Sequence, residues 1–281
     1  MTDRLTLSHR FEQAVQSQYV GNRLWLVSNY HCNLQCSYCL MESSPQSKKR
    51  QLSMEQMIQA VQEAKVLGFT SVGITGGEPF LIPWMVDALE AIGQILPVIV
   101  LTNGTLFGGR LRHQVLRLQN LPIQLQISVD SIEPQQHDRY RGDGTFHRAI
   151  KDIPWLIEQG LSVRVAISAS NIQEQELVNM RRWMLSLGLS ESDLVNRQLI
   201  TRGRAIEYDL GQSIPISSLM GELTITKSGA FYSPFAPTVK SNQLQLDGLL
   251  TRTILPLSKP LEALLQVATG SNRDDRPEGF V

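Results

Sequence analysis

Cysteine is nearly absent from this sequence. The 281 residues contain three cysteines, and all of them fall within the stretch 30–39, with the spacing C-x3-C-x2-C. An odd number of thiols so close together is not the pattern of a disulfide framework. The absence of any further cysteine also excludes a metal centre with four cysteine ligands from this chain. Every thiol that it can offer to a metal therefore lies on one loop.

The sequence also lacks an excess of charge of either sign and a long apolar run. Lys plus Arg and Asp plus Glu both total 26, which gives a formal net charge of zero. This balance gives no indication of a nucleic-acid or membrane surface. No run approaches the roughly 20 apolar residues that span a bilayer, and the first residues lack the apolar segment of a signal peptide. We therefore expect a cytoplasmic protein without nucleic-acid or membrane partners.

What the sequence does contain is an alternation of strand and helix patterns. Hydrophobic residues make up 42% of the chain, which is enough for a large core. Short apolar runs are separated by segments with helical periodicity, and this rhythm predicts a parallel sheet. One helix is expected to begin at a capping-box pair, Ser53 and Gln56. Six runs are predicted as strands: 23–29, 70–75, 98–101, 123–130, 163–170 and 195–200.

The fourth and fifth of these runs have one apolar and one polar face, because polar and apolar residues alternate strictly. The polar residues are Gln124, Gln126, Ser128 and Asp130, followed in the next run by Arg164 and Ser168. Helices cover both faces of an open doubly wound sheet, whereas a barrel can have a polar interior. Such interior residues either hydrogen-bond to one another or contact a substrate. The predicted fold is therefore α/β, a partial (β/α)6 TIM-type barrel with a small C-terminal α+β extension.

The rhythm divides the chain into three segments. Residues 1–22 form a polar lead-in, residues 23–205 carry the barrel pattern, and residues 206–281 break it. A charged tail at 272–278 is expected to be disordered.

Some local predictions depend on turn residues and apolar spacing. We predict a long loop at 131–145, followed by a single helix at 146–158 that ends before Gly160. The C-terminal segment contains a predicted hairpin at 221–231.

The cysteine loop is compatible with two kinds of metal site. Three thiolates can hold three irons of a cubane cluster, whose fourth iron then needs another ligand. The alternative is a zinc site in which His31 completes the set. Structural zinc ligands usually come from two separated pairs, and this loop is continuous, so the cluster is favoured.

Polar residues follow five of the predicted strands. The loops at the carboxyl ends of parallel strands converge, and reactive groups in such folds lie there. The five groups are the cysteine loop, Gly76-Gly77-Glu78, Thr102-Asn103-Gly104, Ser128-Val129-Asp130 and Ser168 to Asn171. Their convergence predicts a single active site at the mouth of the barrel.

The cysteine spacing, with Tyr38 directly before the third cysteine, resembles the loop of the radical S-adenosylmethionine (SAM) superfamily. Gly76-Gly77-Glu78-Pro79 is similar to the G-G-E-P segment of that superfamily, and it follows in the expected order. The resemblance implies that Cys32, Cys36 and Cys39 ligate one [4Fe-4S] cluster and that SAM chelates the fourth iron. It also implies that Tyr38 approaches the adenine and that the turn of Gly76, Gly77 and Glu78 holds the amino group of SAM.

Segments 101–105 and 127–131 resemble the branch of the superfamily that contains MoaA, PqqE and the SPASM-type peptide maturases. By that resemblance the strand ends contact SAM through Thr102, Asn103, Ser128 and Asp130. Ser168, Ser170 and Asn171, at the end of the next strand, either reach the cofactor or only form a turn. The segment 137–142 is similar to the H-D-x-x-R-G loop of that branch. Unlike that branch, the chain has no later cysteine, so we interpret residues 206–281 as a degenerate SPASM-like extension without an auxiliary cluster.

The resemblance implies an enzyme that cleaves SAM reductively to a 5′-deoxyadenosyl radical, which then abstracts hydrogen from a substrate. The substrate favoured by the closest resemblance is a peptide, and the alternative is a small metabolite such as a sugar, nucleoside or cofactor precursor. A reductant such as flavodoxin or ferredoxin is the expected electron donor. A non-catalytic zinc-binding regulator is the competing interpretation of the three cysteines.

Overall fold

The computed structural model describes residues 2–168, 174–241 and 243–270. Three of the sequence predictions lie outside these residues. They are the disorder of 272–278 and the approach of Ser170 and Asn171 to the cofactor.

The described residues form α-helices and strands that alternate through most of the chain. The helices are α1 (Thr2–Gln16), α2 (Met54–Leu67), α3 (Met85–Gly93), α4 (Gly109–Gln114), α5 (Pro134–Arg141), α6 (Thr145–Ile150), α7 (Ile153–Glu158), α8 (Glu174–Ser186) and α9 (Ser258–Thr269). The strands are β1 (Arg23–Val27), β2 (Ser71–Thr75), β3 (Val98–Thr102), β4 (Ile123–Ser128), β5 (Ser162–Ser168), β6 (Leu194–Arg197), β7 (Thr224–Thr226), β8 (Gly229–Phe231), β9 (Val239–Lys240), β10 (Gln243–Leu244) and β11 (Leu249–Thr251). All six predicted βα strands are therefore present.

Nine of the strands form one sheet, in the order β11-β8-β7-β1-β2-β3-β4-β5-β6. Strands β1 to β6 are parallel and stand in chain order, which is the arrangement of a TIM-type barrel rather than of a doubly wound sheet. Strands β11 and β6 are the two edges, so the sheet does not close. The predicted α/β class and partial barrel are confirmed.

The faces of the strands follow the predicted alternation. Ile123, Leu125 and Ile127 belong to the main hydrophobic core, in which the helices pack on the outer face of the sheet. Gln126 points to the opposite face, is buried, and accepts a hydrogen bond from Arg197 Nη2 at 3.4 Å. Gln124 donates to Ser162 Oγ at 3.3 Å. Both residues thus bond to other side chains of the polar face and not to one another, so contact with a substrate stays an open alternative.

Helix α2 illustrates how local sequence sets an element. Ser53 accepts from the backbone N–H of Gln56, whose side chain accepts from the backbone N–H of Ser53. A cap of this kind stabilises a helix by about 1 kcal/mol. Gly68 ends the helix in a left-handed conformation, with φ at 99°. The predicted capping box is confirmed.

Two local predictions were wrong. The segment predicted as a loop at 131–145 contains helix α5, which Pro134 begins, because its fixed φ suits the first turn and its missing N–H is not needed there. The single helix predicted at 146–158 is two helices, α6 and α7, separated at Lys151 and Asp152. Pro154 lies in the first turn of α7, and it cannot donate the hydrogen bond that would continue α6.

The predicted C-terminal hairpin is present as β7 and β8, and it belongs to the main sheet. Strand β7 pairs in parallel with β1, where Trp25 stands opposite Thr224 and Leu26 opposite Ile225. Helix α9 packs beside α1. The division of the chain at residue 205 stays a prediction, but the sheet itself crosses that position.

No helix in the described segments combines the length and the apolar character that crossing a membrane would require.

Candidate active site

A cavity of about 390 Å³ lies at the carboxyl ends of the parallel strands. Its size suits a small molecule or a cofactor. It is lined by ten of the predicted site residues: Cys32, Cys36, Tyr38, Cys39, Gly76, Gly77, Thr102, Asn103, Ser128 and Ser168. The other two, Glu78 and Asp130, are buried just behind its wall. The strand ends thus converge as predicted.

The three cysteines line this cavity, and backbone N–H groups donate hydrogen bonds to two of their sulfur atoms, as suits thiolates. Leu34 N donates to Cys32 Sγ at 3.3 Å, and Ser43 N donates to Cys39 Sγ at 3.3 Å. Burial raises the pKa of Cys32 well above its ordinary value and that of Cys36 to about 11, so a bound metal must displace protons from these two thiols. Three thiols on one wall, with N–H donors to sulfur, fit a cubane cluster. His31, the fourth ligand of the zinc alternative, does not line the cavity.

The cysteine loop is held from behind by a residue that sequence analysis missed. Arg204 donates through Nη1 to Cys36 O at 2.6 Å and through Nη2 to Ser43 O at 3.1 Å. Its own backbone N–H donates to Cys39 O at 3.0 Å. Arg204 is buried, and it lies in a one-turn 3-10 helix after β6. One guanidinium therefore ties the middle of the loop, at Cys36, to the segment that follows the third cysteine.

The glycine turn after β2 packs directly against the start of the cysteine loop. Gly77 N donates to Asn29 O at 2.9 Å, and Glu78 N donates to His31 O at 2.9 Å. A Cβ on Gly77 would stand 2.1 Å from His31 O, and a Cβ on Gly76 would stand 2.5 Å from Asn29 O. Both glycines are therefore required for the backbone of one loop to approach that of the other. Their approach to a ligand stays a prediction.

The carboxylate of Glu78 is fully buried and accepts three hydrogen bonds from the protein. Oε1 accepts from Phe80 N at 3.1 Å and from Thr102 Oγ1 at 2.8 Å, and Oε2 accepts from Asn103 N at 2.8 Å. Burial raises the pKa of this carboxyl group to about 7, although the hydrogen bonds oppose the shift. Glu78 thus fixes the end of β3, and its predicted contact with SAM stays a prediction.

Asn103 joins the end of β3 to the cysteine loop. Its Nδ2 donates to Asn33 Oδ1 at 2.9 Å and lies 3.7 Å from Cys32 Sγ. Asn33 donates in turn to Thr105 Oγ1 at 2.9 Å. These contacts place Glu78, Asn103 and the first cysteine in one continuous network.

Asp130 connects the cysteine loop to the ends of β4 and β5. Its Oδ2 accepts from Tyr38 OH and from Arg141 Nε, both at 2.6 Å. Its Oδ1 accepts from Arg141 Nη2 at 3.2 Å and from Ser168 N at 3.0 Å. With both oxygens occupied, the carboxylate orients the Tyr38 ring, over which the Arg141 guanidinium stands at 5.3 Å. The predicted contact of Asp130 with SAM stays a prediction.

The segment that resembled an H-D-x-x-R-G loop supports this network from helix α5. His137 is buried, its Nδ1 accepts from Asp130 N at 3.2 Å, and its ring stands edge-on to Phe146. Burial, together with the charge of Arg141, lowers the pKa of His137 to about 4. Asp138 accepts from Gly144 N and Phe146 N, both at 2.7 Å, and so begins helix α6. The neutral imidazole acts as a buried acceptor.

The floor of the cavity contains three residues that sequence analysis did not select as site residues: Trp25, Arg197 and Glu222. Trp25 Nε1 donates to Glu222 Oε2 at 3.0 Å. Gly73 makes room for the indole, because a Cβ there would stand 2.4 Å from the Trp25 ring. Burial raises the pKa of Glu222. In the sequence, the alternation of polar and apolar residues along the strands was the only indication that polar side chains would lie on this floor.

The profile of the Radical SAM superfamily matches residues 26–183 of the chain. The chain belongs to this superfamily. The predicted family and its two cofactors, a [4Fe-4S] cluster and SAM, are therefore confirmed, whereas the roles of the individual cofactor-binding residues stay predictions.

Two curated relatives indicate where the chain stands within the superfamily. It is 34% identical over 161 residues to the antilisterial bacteriocin subtilosin biosynthesis protein AlbA of Bacillus subtilis strain 168, covering 57% of this chain and 36% of AlbA. It is 28% identical over 185 residues to the GTP 3′,8-cyclase of Mannheimia succiniciproducens, covering 63% of this chain and 53% of that protein. The chain thus spans between a third and about half of the length of these relatives.

Solved structures support the fold. SuiB of Streptococcus suis bound to S-adenosylmethionine superposes with a TM-score of 0.55 at 18% identity, over 73% of this chain and 47% of SuiB. The anSMEcpe structure with bound AdoMet and the Cp18Cys peptide superposes with a TM-score of 0.59 at 11% identity, over 89% of this chain and 84% of that chain. At these identities the likeness concerns the fold alone.

Proposed function

We propose that this chain is a radical SAM enzyme that acts on a peptide. The observation that carries the proposal is the convergence of three cysteines, a glycine turn and three further strand ends on one cavity. The bound cofactors supply the radical chemistry: reductive cleavage of SAM gives methionine and a 5′-deoxyadenosyl radical, which abstracts a hydrogen atom from the substrate.

The side chains of this chain have distinct tasks in the proposal. Cys32, Cys36 and Cys39 hold the cluster, and Arg204 keeps their loop in place. In the proposal, SAM is faced by the strand-end residues that line the cavity, namely Gly76, Gly77, Thr102, Asn103, Ser128 and Ser168. Tyr38 borders the adenine in an orientation that Asp130 sets. Glu78 acts mainly on the protein itself: its carboxylate accepts a hydrogen bond from the backbone N–H of Asn103.

A peptide substrate is supported by the relatives and by the cavity. The identity to AlbA, named for bacteriocin biosynthesis, exceeds that to the GTP 3′,8-cyclase. The cavity has an apolar wall, against which apolar side chains of a peptide can pack. It is formed by Leu40, Met41, Leu199, Ile200, Pro234 and Phe235.

A small metabolite is the second candidate substrate. The observation in its favour is the match to GTP 3′,8-cyclases, which extends over 63% of the chain in one case. Supplying GTP and a test peptide separately, and measuring which of them raises the yield of 5′-deoxyadenosine, separates the two candidates.

The electron donor and the location are parts of the same proposal. A flavodoxin or ferredoxin would deliver the single electron, and a reducing compartment such as the cytoplasm would keep three free cysteines available. Replacing dithionite by a reduced flavodoxin in the assay tests the first point.

The test of the function uses protein purified and reconstituted without oxygen. We expect bound iron and sulfide, a brown absorption spectrum, and 5′-deoxyadenosine when SAM and dithionite are added. Cys36→Ala removes one of the three thiolates and is expected to abolish that product, while Arg181→Gln on the exposed face of α8 is expected to leave it unchanged. A colourless protein that contains only zinc would overturn the enzyme and support the regulator.

A further inference from the structure

The floor of the cavity contains a guanidinium that the protein does not neutralise. Arg197 ends strand β6 and lines the cavity together with Ser168, its register partner on β5. Within the described residues its guanidinium donates a hydrogen bond from Nη2 to the neutral Gln126 Oε1, and this bond is long at 3.4 Å. Across the described residues, no carboxylate stands within ion-pair distance of Arg197.

Two further arginines share the polar face of the sheet with Arg197. Arg23 on β1 and Arg164 on β5 alternate with residues of the hydrophobic core, so they point to the same inner side. Arg164 Nε is buried and has no hydrogen-bond partner in the described chain. Burial, followed by the fields of Arg164 and Arg23, lowers the pKa of Arg197 to about 10. The charge of Asp193 acts on Arg164, and that of Glu222 acts on Arg23 and Arg197. Three guanidiniums thus meet two carboxylates, which leaves an excess of positive charge on the inner face.

The one carboxylate at the floor does not cancel this excess. Glu222 already accepts from Trp25 Nε1 at 3.0 Å. Burial raises its pKa, against the opposing effects of Trp25, Arg23 and Arg197. A buried cation that is left without a counter-charge is costly, and an anion that reaches it is bound strongly.

We propose that Arg197 binds a carboxylate of the substrate, so that the peptide entering this cavity carries an Asp or Glu side chain, or a free C-terminus, close to the residue that reacts. This inference rests on the proposed function, because it names the substrate class of the same site. The planar guanidinium can receive a carboxylate through two parallel hydrogen bonds, which a lysine cannot do. The apolar wall that includes Pro234 and Phe235 would contact the neighbouring residues of the peptide.

The experiment measures which peptides bind the complete protein. The full chain, with its cluster reconstituted and SAM at saturation but without reductant, is incubated with pools of acetylated and amidated pentapeptides. Each pool has one fixed central residue, namely Glu, Gln, Asp, Asn or Lys, and mixed residues elsewhere. A further pool has central Gln and a free C-terminal carboxylate. Retained peptides are quantified by mass spectrometry.

We expect the Glu or Asp pool to be retained about tenfold or more over its amide counterpart, since a charge-assisted hydrogen bond contributes roughly that factor. Arg197→Gln should remove the preference, Arg197→Lys should keep part of it, and the exposed Arg181→Gln should keep all of it. Preferential retention of the pool with the free carboxylate would identify the C-terminus as the source of the charge. Equal retention of acidic and amide pools, or retention of none, would overturn the proposal.

Failure of this inference is distinguishable from failure of the proposed function. Wild-type protein that makes 5′-deoxyadenosine but shows no acidic preference overturns the role of Arg197 alone. Protein that binds no cluster and cleaves no SAM overturns the function. If Arg197→Gln does not fold, as judged by its thermal unfolding, Arg197→Lys takes its place, because it keeps the charge but cannot form the two parallel hydrogen bonds. A preference that Arg197→Lys retains in full would contradict the role of the Arg197 guanidinium.

Discussion

The guanidinium of Arg204 donates a hydrogen bond to the main-chain carbonyl of Cys36 across 168 positions of sequence. The side chain comes from the loop after β6, while the carbonyl belongs to the loop after β1. The same guanidinium also binds Ser43 O. The first and the last of the six parallel strands thus jointly determine the shape of the cysteine loop.

The first prediction concerns this contact. Arg204→Ala removes two charge-assisted hydrogen bonds to buried carbonyls, and each such bond contributes about 1.5–3 kcal/mol. We expect a lower melting temperature, a substoichiometric iron content after reconstitution, and a shifted reduction potential of the iron that remains. Iron analysis and potentiometry measure these effects. Arg181→Ala, an exposed arginine on α8, is the matched control, and an iron content equal to wild type in Arg204→Ala would contradict the prediction.

The second prediction concerns the packing of the glycine turn on the cysteine loop. Gly77→Ala places a Cβ 2.1 Å from His31 O, so one of two backbones must move. Forced overpacking of this kind costs about 1–3 kcal/mol, and here the displacement is transmitted to Cys32. We expect lower stability in urea and poor retention of iron. Gly108→Ala is the control, since a Cβ there meets nothing within 4 Å. Equal urea midpoints for the two variants would refute this account.

The third prediction concerns Glu78. Glu78→Gln replaces one acceptor oxygen by an NH2 group, which must then face Phe80 N and Thr102 Oγ1, or Asn103 N. A buried donor without an acceptor costs about 1–3 kcal/mol. We expect both lower stability and weaker SAM binding by calorimetry, because the end of β3 shifts. Unchanged stability would remove the structural role, and unchanged SAM affinity would count against any role of Glu78 in the cofactor site.

The fourth prediction concerns pH and His137. The buried ring faces Arg141 on its own helix, together with Asp130 and Asp138, and its pKa falls to about 4. Between that value and the ordinary value of 6.5, only the unfolded chain binds the proton, so stability decreases as pH falls through this range. The slope contributed by one such group is at most about 1.4 kcal/mol per pH unit.

Comparison of variants isolates this group from the other titrating residues. Asn at position 137 retains an acceptor but does not titrate, so we expect the His137→Asn stability curve to be flatter than wild type between pH 4 and 6.5. The exposed His113→Asn is the control and should reproduce the wild-type slope. Urea unfolding at several pH values measures the difference. Parallel curves for His137→Asn and wild type would show that the histidine is not buried in its neutral form.

Features encoded locally could be predicted from the sequence. The six parallel strands, the capping box at Ser53 and the cysteine loop each depend on residues within a few positions of one another. The convergence of the strand ends followed from a general rule for parallel sheets. Helix α5 was missed although Pro134 offered a starting signal, because its sequence is too polar to show a helical apolar pattern.

Contacts between distant segments could not be predicted in this way. Nothing near Arg204 indicates that it will bind Cys36 O, and nothing near Tyr38 indicates a hydrogen bond to Asp130. Asp130 was selected from its position at a strand end. It does lie there, but its carboxylate is occupied by protein donors. Sequence patterns locate polar residues on a face, whereas their partners depend on which strands become neighbours.

The hydrogen bond between Trp25 and Glu222 has a consequence for the order in which the protein matures. These residues are 197 positions apart, so the ribosome has released the cysteine loop long before Glu222 and Arg204 exist. During that interval, which lasts on the order of 10 s or more at ordinary rates of synthesis, the loop lacks the residues that later contact it. The shape of the cysteine loop is therefore complete only after the chain has been synthesised as far as Arg204, and the cavity gains Glu222 later still.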